Sequence, residues 1–184
     1  MGIFDFLKKK PAEKDFDPLK DLQLDKLKPG YMLDYDMKTW QVTARHRYDY
    51  GDGYWGDEWE LTSGREKIYL EREEDDEVEW SVSRLIPLGM IEQDVKKYII
   101  ENEDPPNQIT VKGKTYYLDD SGPAYFLKNG GPERVGFIYW TFYDEEGEEF
   151  ITIEQWGDEE FEASHGIYVE EYQFSNILPS EKNE

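Results

Sequence analysis

Residues 39–61 constrain the fold more than any other stretch of the chain, because they have the pattern of one long β hairpin. On the first arm, apolar or aromatic residues alternate with polar ones, and a period of two is typical of an antiparallel strand with one buried face. Asp52-Gly53 follows that arm and supplies residues that tolerate the positive φ angles of a tight turn. We expect five residues to share the aromatic face of the first arm: Trp40, Val42, Ala44, His46 and Tyr48.

Similar alternating segments lie on both sides of one helical segment. Before it, residues 31–35, 67–73 and 78–82 extend the hairpin into a five-stranded antiparallel meander. Within residues 91–102, apolar side chains recur at helical spacing, and Pro105-Pro106 prevents the helix from continuing. After it, strands are predicted at 109–111, 114–118, 124–127, 135–143, 149–155, 161–163 and 167–174, of which 135–143 is the long one.

These elements predict a mainly β fold with two consecutive antiparallel β units, each a small barrel or sandwich-like, and one intervening helix. The expected divisions are an N-terminal amphipathic segment and lead-in (1–28), a first β unit (29–88), a helix and linker (89–106), a second β unit (107–179) and a tail (180–184). Aromatic residues make up 16% of the chain, so a few large side chains must form the core. We expect four tryptophans to be mostly buried: Trp40, Trp59, Trp80 and Trp140.

The two halves also echo each other in sequence. Trp59-Glu60-Leu61 in the first half resembles Trp140-Thr141-Phe142 in the second. Two explanations remain open, an internal duplication or the similar composition of unrelated hairpins.

The charge of the chain argues against one large class of partner. Its 184 residues include 21 Lys and Arg against 43 Asp and Glu, which gives a formal net charge of −22. Nucleic-acid binding requires clustered basic side chains, so we expect no nucleic-acid partner. The absence of cysteine rules out disulfides, thiolate metal ligands and cysteine nucleophiles, and is typical of a reducing cytoplasm. No apolar run reaches the roughly 20 residues that a membrane-spanning helix needs.

The first ten residues differ from the acidic remainder by combining apolar and basic side chains. Those side chains are Ile3, Phe4, Phe6, Leu7, Lys8, Lys9 and Lys10. At helical spacing the apolar ones largely share a face, and Pro11 would end the helix. Two interpretations remain open: an anchor for a membrane surface or a partner, or a short helix whose phenylalanines pack on the β core.

Several short motifs are similar to those of one known family. They are Pro29-Gly30, the alternating strand at 40–48, Asp57-Glu58-Trp59-Glu60-Leu61, Trp80-Ser81, the segment 112–118 and Gly122-Pro123-Ala124. The chain resembles, over residues 27–179, an uncharacterised bacterial family called domain of unknown function 4178. The family has no established activity, so the resemblance supplies no active-site residues. Its members tend to lie beside genes for small membrane proteins, membrane-stress proteins and polyamine synthesis, which implies a cytoplasmic accessory protein at the membrane.

Catalytic and metal sites have few candidates in this sequence. The two histidines, His46 and His165, have no spacing that matches an acid–base pair or a metal motif, so we expect neither catalysis nor a metal site. Acidic residues crowd the hairpin turn near Asp52, but they lack the spacing of a calcium loop. No glycine-rich phosphate loop is present, and we expect no cofactor.

The second half contains an acidic segment without basic residues. Between residues 135 and 181 there are 13 Asp and Glu and no Lys or Arg. Carboxylates beside aromatic faces attract organic cations and basic peptides. The candidate residues for binding a cation or a basic partner are Tyr143, Trp156, Tyr172, Glu154, Asp158 and Glu159. The alternative is an acidic solvent-exposed face over an aromatic core.

These observations favour a non-enzymatic cytoplasmic accessory or adaptor protein that binds a basic partner, with peripheral membrane contact through residues 1–10. The second hypothesis is a sensor or carrier of a small polycation such as a polyamine, and the third is an enzyme of unknown reaction.

Overall fold

A computed structural model describes residues 22–74 and 77–179, and this part of the chain is mainly β, as predicted. The strands are β1 (Met32–Tyr35), β2 (Lys38–Gly51), β3 (Tyr54–Ser63), β4 (Glu66–Glu74), β5 (Val78–Ile86), β6 (Gln108–Val111), β7 (Lys114–Leu127), β8 (Val135–Tyr143), β9 (Glu149–Gln155), β10 (Phe161–Val169) and β11 (Ser175–Leu178). The α-helix is α1 (Val95–Asn102).

The strands form one antiparallel sheet that closes into an eight-stranded barrel. Their order is β11-β1-β2-β3-β4-β5-β10-β9-β8-β7-β6, and β2 also pairs with β7. That last pairing, which joins Tyr48 to Phe126 and Asp49 to Tyr125, completes the ring. The prediction of a small antiparallel barrel with one helix is confirmed, and strands from both predicted β units close it together.

Each half of the chain supplies four consecutive strands to the barrel. The first half gives β2 to β5, the second gives β7 to β10, and β5 pairs with β10 where the halves meet. A short strand precedes each set, since β1 pairs with β2 and β6 pairs with β7. Trp59 on β3 and Trp140 on β8 therefore hold matching places. An internal duplication would produce this arrangement, and duplication and similar composition both stay open as explanations.

A β-bulge in β2 reverses the alternation of its side chains. Val42 pairs with Leu61 and Ala44 pairs with Glu60, so Thr43 is the extra residue. Directly paired residues share a face, and one extra residue exchanges the two faces. The prediction that five residues share one face is therefore wrong. Trp40 and Val42, before the bulge, lie on the outside of the barrel. Ala44, His46 and Tyr48, after the bulge, lie on the inside.

Two hydrophobic clusters cover the outside of the barrel. In the first, outward side chains of β2 to β5 pack beneath residues 24–35. In the second, outward side chains of β8 to β10 pack beneath α1 and β6. The four tryptophans predicted to be buried lie in these clusters and are at most 4% exposed: Trp40, Trp59, Trp80 and Trp140. Because the apolar faces point outward, the inward positions are left to other side chains.

Three predicted boundaries are wrong. The helix begins at Val95 rather than at residue 91, because the Asp94 side chain caps it by accepting a hydrogen bond from the backbone N–H of Lys97 at 3.3 Å. Ile91 instead pairs with Val111 in a β-bridge. Strand β7 is continuous through residues 119–123, where the sequence predicts a break. A β-bulge between Leu118 and Asp120 accommodates one extra residue, and the strand stays paired with β8 on both sides of it.

Strand β10 also continues where the sequence predicts a turn, at His165-Gly166. Gly166 is required there for packing. A Cβ atom at this position would lie 2.2 Å from Cζ of Phe150, so only glycine leaves room for that ring on the inner wall of the barrel.

Candidate functional site

The interior of the barrel is a cavity of about 830 Å³. Ten of the side chains that line it are acidic and thirteen are aromatic. None of the described lining residues is Lys or Arg. A cavity with this composition is the most distinctive feature of the molecule, and it is the candidate site.

Strand alternation places the carboxyl groups inside. On β3, Trp59 belongs to the outer hydrophobic cluster, so its neighbour Glu58 points into the cavity. On β4, Leu70 points outward in the same way, and Glu71 and Glu73 point inward. Glu58 and Glu71 are directly paired across β3 and β4. Two carboxyl groups therefore lie side by side on one wall.

Neutral hydroxyl groups donate hydrogen bonds to these carboxyl groups. The pairs are Tyr48 with Glu58 (3.1 Å), Ser83 with Glu71 (3.0 Å) and Tyr54 with Glu73. A hydroxyl donor carries no charge that could balance a carboxylate. The wall consequently satisfies the hydrogen-bonding needs of the carboxyl groups without neutralising them.

Burial without a Lys or Arg partner raises the pKa of three of these carboxyl groups, Glu58, Glu71 and Glu154. For Glu58 burial is the main cause and the charges of Glu71 and Glu154 add to it, so its pKa lies well above the usual range. Burial, with the charge of Glu73, raises the pKa of Glu71 to about 8. Burial, with the charge of Glu162, raises the pKa of Glu154 to about 7. At neutral pH, Glu71 and Glu154 therefore lie close to the point at which they gain or lose protons.

The arginines of the neighbouring strands lie outside. Arg45 lies 5.4 Å from the ring of Trp59, and Arg84 lies 5.7 Å from the ring of Trp40, both over tryptophans of the outer cluster. Charge is thus separated across the barrel wall, with guanidinium groups outside and carboxyl groups inside.

His46 lies on the cavity wall with both ring nitrogens engaged. Its Nδ1 accepts a hydrogen bond from the backbone N–H of Asn129 at 3.0 Å, so in the neutral ring Nε2 carries the proton and donates to Glu60 at 3.3 Å. Glu60 also binds the ammonium group of Lys67 at 2.7 Å. Burial opposes the effect, but the hydrogen bonds from Lys67 and His46 lower the pKa of Glu60 overall. Glu60 therefore already has a cationic partner, whereas Glu58 accepts a hydrogen bond from the neutral hydroxyl of Tyr48.

Aromatic rings line the cavity alongside the carboxyl groups. Trp156 stacks on Phe137 with ring centroids 4.4 Å apart, and Tyr143 stacks on Tyr168 with a 3.1 Å hydrogen bond between the hydroxyls. The Nε1 atom of Trp156 is buried without a hydrogen bond of normal geometry, although it is near enough to Glu154 to oppose the rise in that pKa. Ring faces of this kind attract cations.

The predicted cation-binding residues divide between the cavity and the outer surface. Four of the six line the cavity: Tyr143, Trp156, Glu154 and Glu159. Asp158 and Tyr172 are not on its wall, and Tyr172 is 83% exposed. The predicted anchor, residues 1–10, lies outside the described residues.

Sequence reasoning missed the carboxyl groups of the first half, Glu58, Glu71 and Glu73. Their signal is a carboxyl group at alternate positions on consecutive strands, opposite large apolar side chains. A strand with one solvated face has the same pattern, so this signal alone does not indicate a cavity.

A second polar cluster lies on the outside of the barrel, beside a smaller cavity of about 250 Å³. Lys114 Nζ lies 2.7 Å from Asp144 and 3.3 Å from Glu149. Tyr116 and His165 contact the same Glu149 oxygen at 3.0 and 3.1 Å. These groups satisfy one another. Within residues 22–74 and 77–179, no group of three or more His, Cys, Asp or Glu is arranged to hold a metal ion.

Comparison with known sequences places the chain in a family. The sequence model described as Domain of unknown function (DUF4178) matches residues 28–171. The chain belongs to this family. The DUF4178 chain is also 32% identical over 182 residues to a protein of Aquifex aeolicus (strain VF5) that is described as an uncharacterized protein, and the match covers 97% of this chain and 99% of the relative. No solved structure matches. The resemblance inferred from the motifs is confirmed.

Among the described residues of the DUF4178 chain, no helix is long and apolar enough to cross a membrane.

Proposed function

We propose that the barrel cavity binds a small organic polycation, such as a polyamine, and that the protein acts as its carrier or sensor. One observation carries the proposal: a cavity of about 830 Å³ is lined by acidic and aromatic side chains and by no Lys or Arg among the described residues. Small-ligand cavities have volumes of about 300–1,000 Å³. This size suits a flexible chain with a few ammonium groups and excludes a folded protein from the interior.

The electrostatic argument begins with the cost of burying charge. A carboxylate loses hydration when it is buried, and a positive charge nearby offsets that cost. Among the described lining residues, no Lys or Arg lies beside Glu58, Glu71 or Glu154. The imidazole of His46, which is paired with Glu58 across β2 and β3, bonds to Glu60 instead. The ammonium groups of a ligand would supply the missing charge and would form charge-assisted hydrogen bonds.

The aromatic wall adds a second attraction. A cation over the face of Trp or Tyr gains about 0.5–2 kcal/mol, with the larger values in desolvated sites. Trp156 and Tyr143 are placed to contribute in this way, and the rings also cover the methylene segments of an aliphatic amine. Carboxyl groups and rings together favour organic cations over simple metal ions.

The adaptor hypothesis depends on the exterior of the protein instead. Glu145, Glu146 and Glu148 in the turn between β8 and β9 are exposed, as is Asp158, and they offer a basic protein a negative surface. Binding to a basic partner and membrane contact through residues 1–10 stay predictions. The cavity ligand is the better-supported proposal, because the carboxyl groups without a counter-charge lie inside.

Isothermal titration calorimetry with spermidine at pH 8 and low salt tests the proposal. We expect saturable binding with one ligand per chain. The variant Glu154→Gln should bind about 10- to 100-fold more weakly, because one hydrogen bond to a charged group contributes about 1.5–3 kcal/mol.

The matched control is Asp158→Asn, which also removes one negative charge but lies off the cavity wall. It should bind spermidine within about twofold of wild type, because exposed charges contribute little. Equal losses in the two variants would show that spermidine is held by diffuse surface charge, and the proposal would fail. Binding of a Lys-rich peptide without binding of spermidine would favour the adaptor role.

A further inference from the structure

The cavity carboxyl groups face each other across the barrel. Glu58 on β3 is directly paired with Glu71 on β4, which places their Cβ atoms about 5 Å apart. Glu154 is on β9, which lies four strands from β3 in either direction around the ring. The Glu58–Glu71 pair and Glu154 therefore form two acidic walls with the cavity between them.

The titratable groups that face these three carboxyl groups are acids, phenols and one imidazole. The acids are Glu60, Glu73, Glu79, Asp120 and Glu162 from the strands, with Glu159 and Glu160 from the loop after β9. The phenols are Tyr48, Tyr50, Tyr54, Tyr69, Tyr139, Tyr143 and Tyr168. The imidazole of His46 donates to Glu60, which also takes the ammonium group of Lys67. Within residues 22–74 and 77–179, no Lys or Arg of the cavity lining balances the two walls.

Without a bound cation, some of the cavity carboxyl groups stay protonated, and this limits the negative charge inside the barrel. When two carboxyl groups lie side by side in a low-dielectric site, ionising the second one costs extra free energy because it is repelled by the first carboxylate. One of the two therefore retains its proton. The raised pKa values of Glu71 and Glu154 agree with this arrangement.

We propose that a cation enters the cavity in exchange for protons, an inference that rests on the proposed function. An ammonium group docks beside a protonated carboxyl group, the carboxyl O–H bond breaks, and its proton passes to water. An N–H···O⁻ ion pair replaces the O–H group. One proton is released for each carboxyl group that ionises. The net charge of the cavity therefore rises by less than the charge of the ligand.

Acidification should therefore expel the ligand. With pKa values of about 8 for Glu71 and about 7 for Glu154, the ionised fractions fall about 50-fold and about tenfold between pH 8 and pH 6. If both groups must ionise, affinity for a dication falls on the order of 500-fold over this range. Aliphatic ammonium groups stay charged throughout, because their pKa values lie near 10.

Calorimetric titration of the full chain with 1,4-diaminobutane at pH 6, 7 and 8 tests the exchange. At pH 7 and pH 8 each titration is run in phosphate and in HEPES, whose ionisation enthalpies differ, so the difference in observed heat counts the protons released. We expect about one to two protons per ligand at pH 7. Glu71→Gln should release about one proton fewer and lose most of the pH dependence, whereas the exposed-turn variant Glu145→Gln should match wild type.

The outcomes separate this inference from the proposed function. Binding without proton release, or with the same proton release in Glu71→Gln as in wild type, overturns the exchange and leaves cation binding intact. No binding at any of the three pH values overturns both.

Discussion

Replacing Glu71 by glutamine should make the protein more stable at neutral pH, by an amount that grows as pH rises. Glutamine has nearly the same shape, and its carbonyl oxygen can still accept the 3.0 Å hydrogen bond from Ser83. The substitution therefore removes the ability to ionise and little else.

The sign and size of this change in the free energy of unfolding follow from the raised pKa of Glu71. Glu71 has a pKa of about 8 in the fold against an ordinary value of 4.5, so the fold favours its protonated form. That stabilisation is fully present below pH 4.5 and is lost as pH rises to 8. Each pKa unit corresponds to about 1.4 kcal/mol. At pH 7 the wild type has lost about 3 kcal/mol of its free energy of unfolding through this group, and above pH 8 about 5 kcal/mol.

Urea unfolding at pH 5, 6, 7, 8 and 9, followed by tryptophan fluorescence, measures the effect. Glu71→Gln should exceed wild type by about 1 kcal/mol at pH 5 and by about 3 kcal/mol at pH 7. The control is Glu145→Gln in the exposed turn between β8 and β9, which should stay within about 0.5 kcal/mol of wild type at every pH. A Glu71→Gln difference that is constant with pH, or a variant less stable than wild type at pH 8, would refute the reasoning.

Three further predictions concern packing and the N-terminus. Gly166→Ala should lower the free energy of unfolding by about 1–3 kcal/mol, because its Cβ displaces a ring on the cavity wall, while Gly89→Ala, where nothing lies within 4 Å, should change little in the same urea assay. Trp59→Phe should cost about 1–3 kcal/mol, because it leaves the buried Leu27 carbonyl without its 3.0 Å hydrogen bond, and a urea midpoint close to wild type would contradict this. Deleting residues 1–10 should reduce co-sedimentation with anionic liposomes, since each lysine near such a surface contributes about 1 kcal/mol; unchanged binding would reject the anchor.

The strands could be predicted because their apolar faces must be buried whatever covers them. Trp59 and Trp140 mark strands that are half-apolar in any arrangement, and the sequence places both correctly in buried positions. Barrel closure has no comparable local signal. It depends on the pairings of β2 with β7 and of β5 with β10, which join residues far apart in the chain.

Which face of a strand points into the barrel was harder to predict than which residues share that face. The bulge at Thr43 exchanges the two faces of β2 through one residue that has no special sequence character. Glu154 and Trp156 were identified as candidates because no basic residue lies near them in sequence. Glu71 was not, because Arg72 follows it, and only the structure shows that these neighbouring charges lie on opposite sides of the barrel wall.

The most direct test of the central claim is to locate a bound polycation by NMR. Intermolecular nuclear Overhauser effects can be recorded between the methylene protons of spermidine and aromatic ring protons of the protein at pH 8. The cavity site predicts contacts with Trp156, Phe137 and Tyr139, which line the barrel interior. Contacts only with Tyr172, which is exposed on the outer surface, or no contacts with the cavity rings at saturating spermidine, would contradict it.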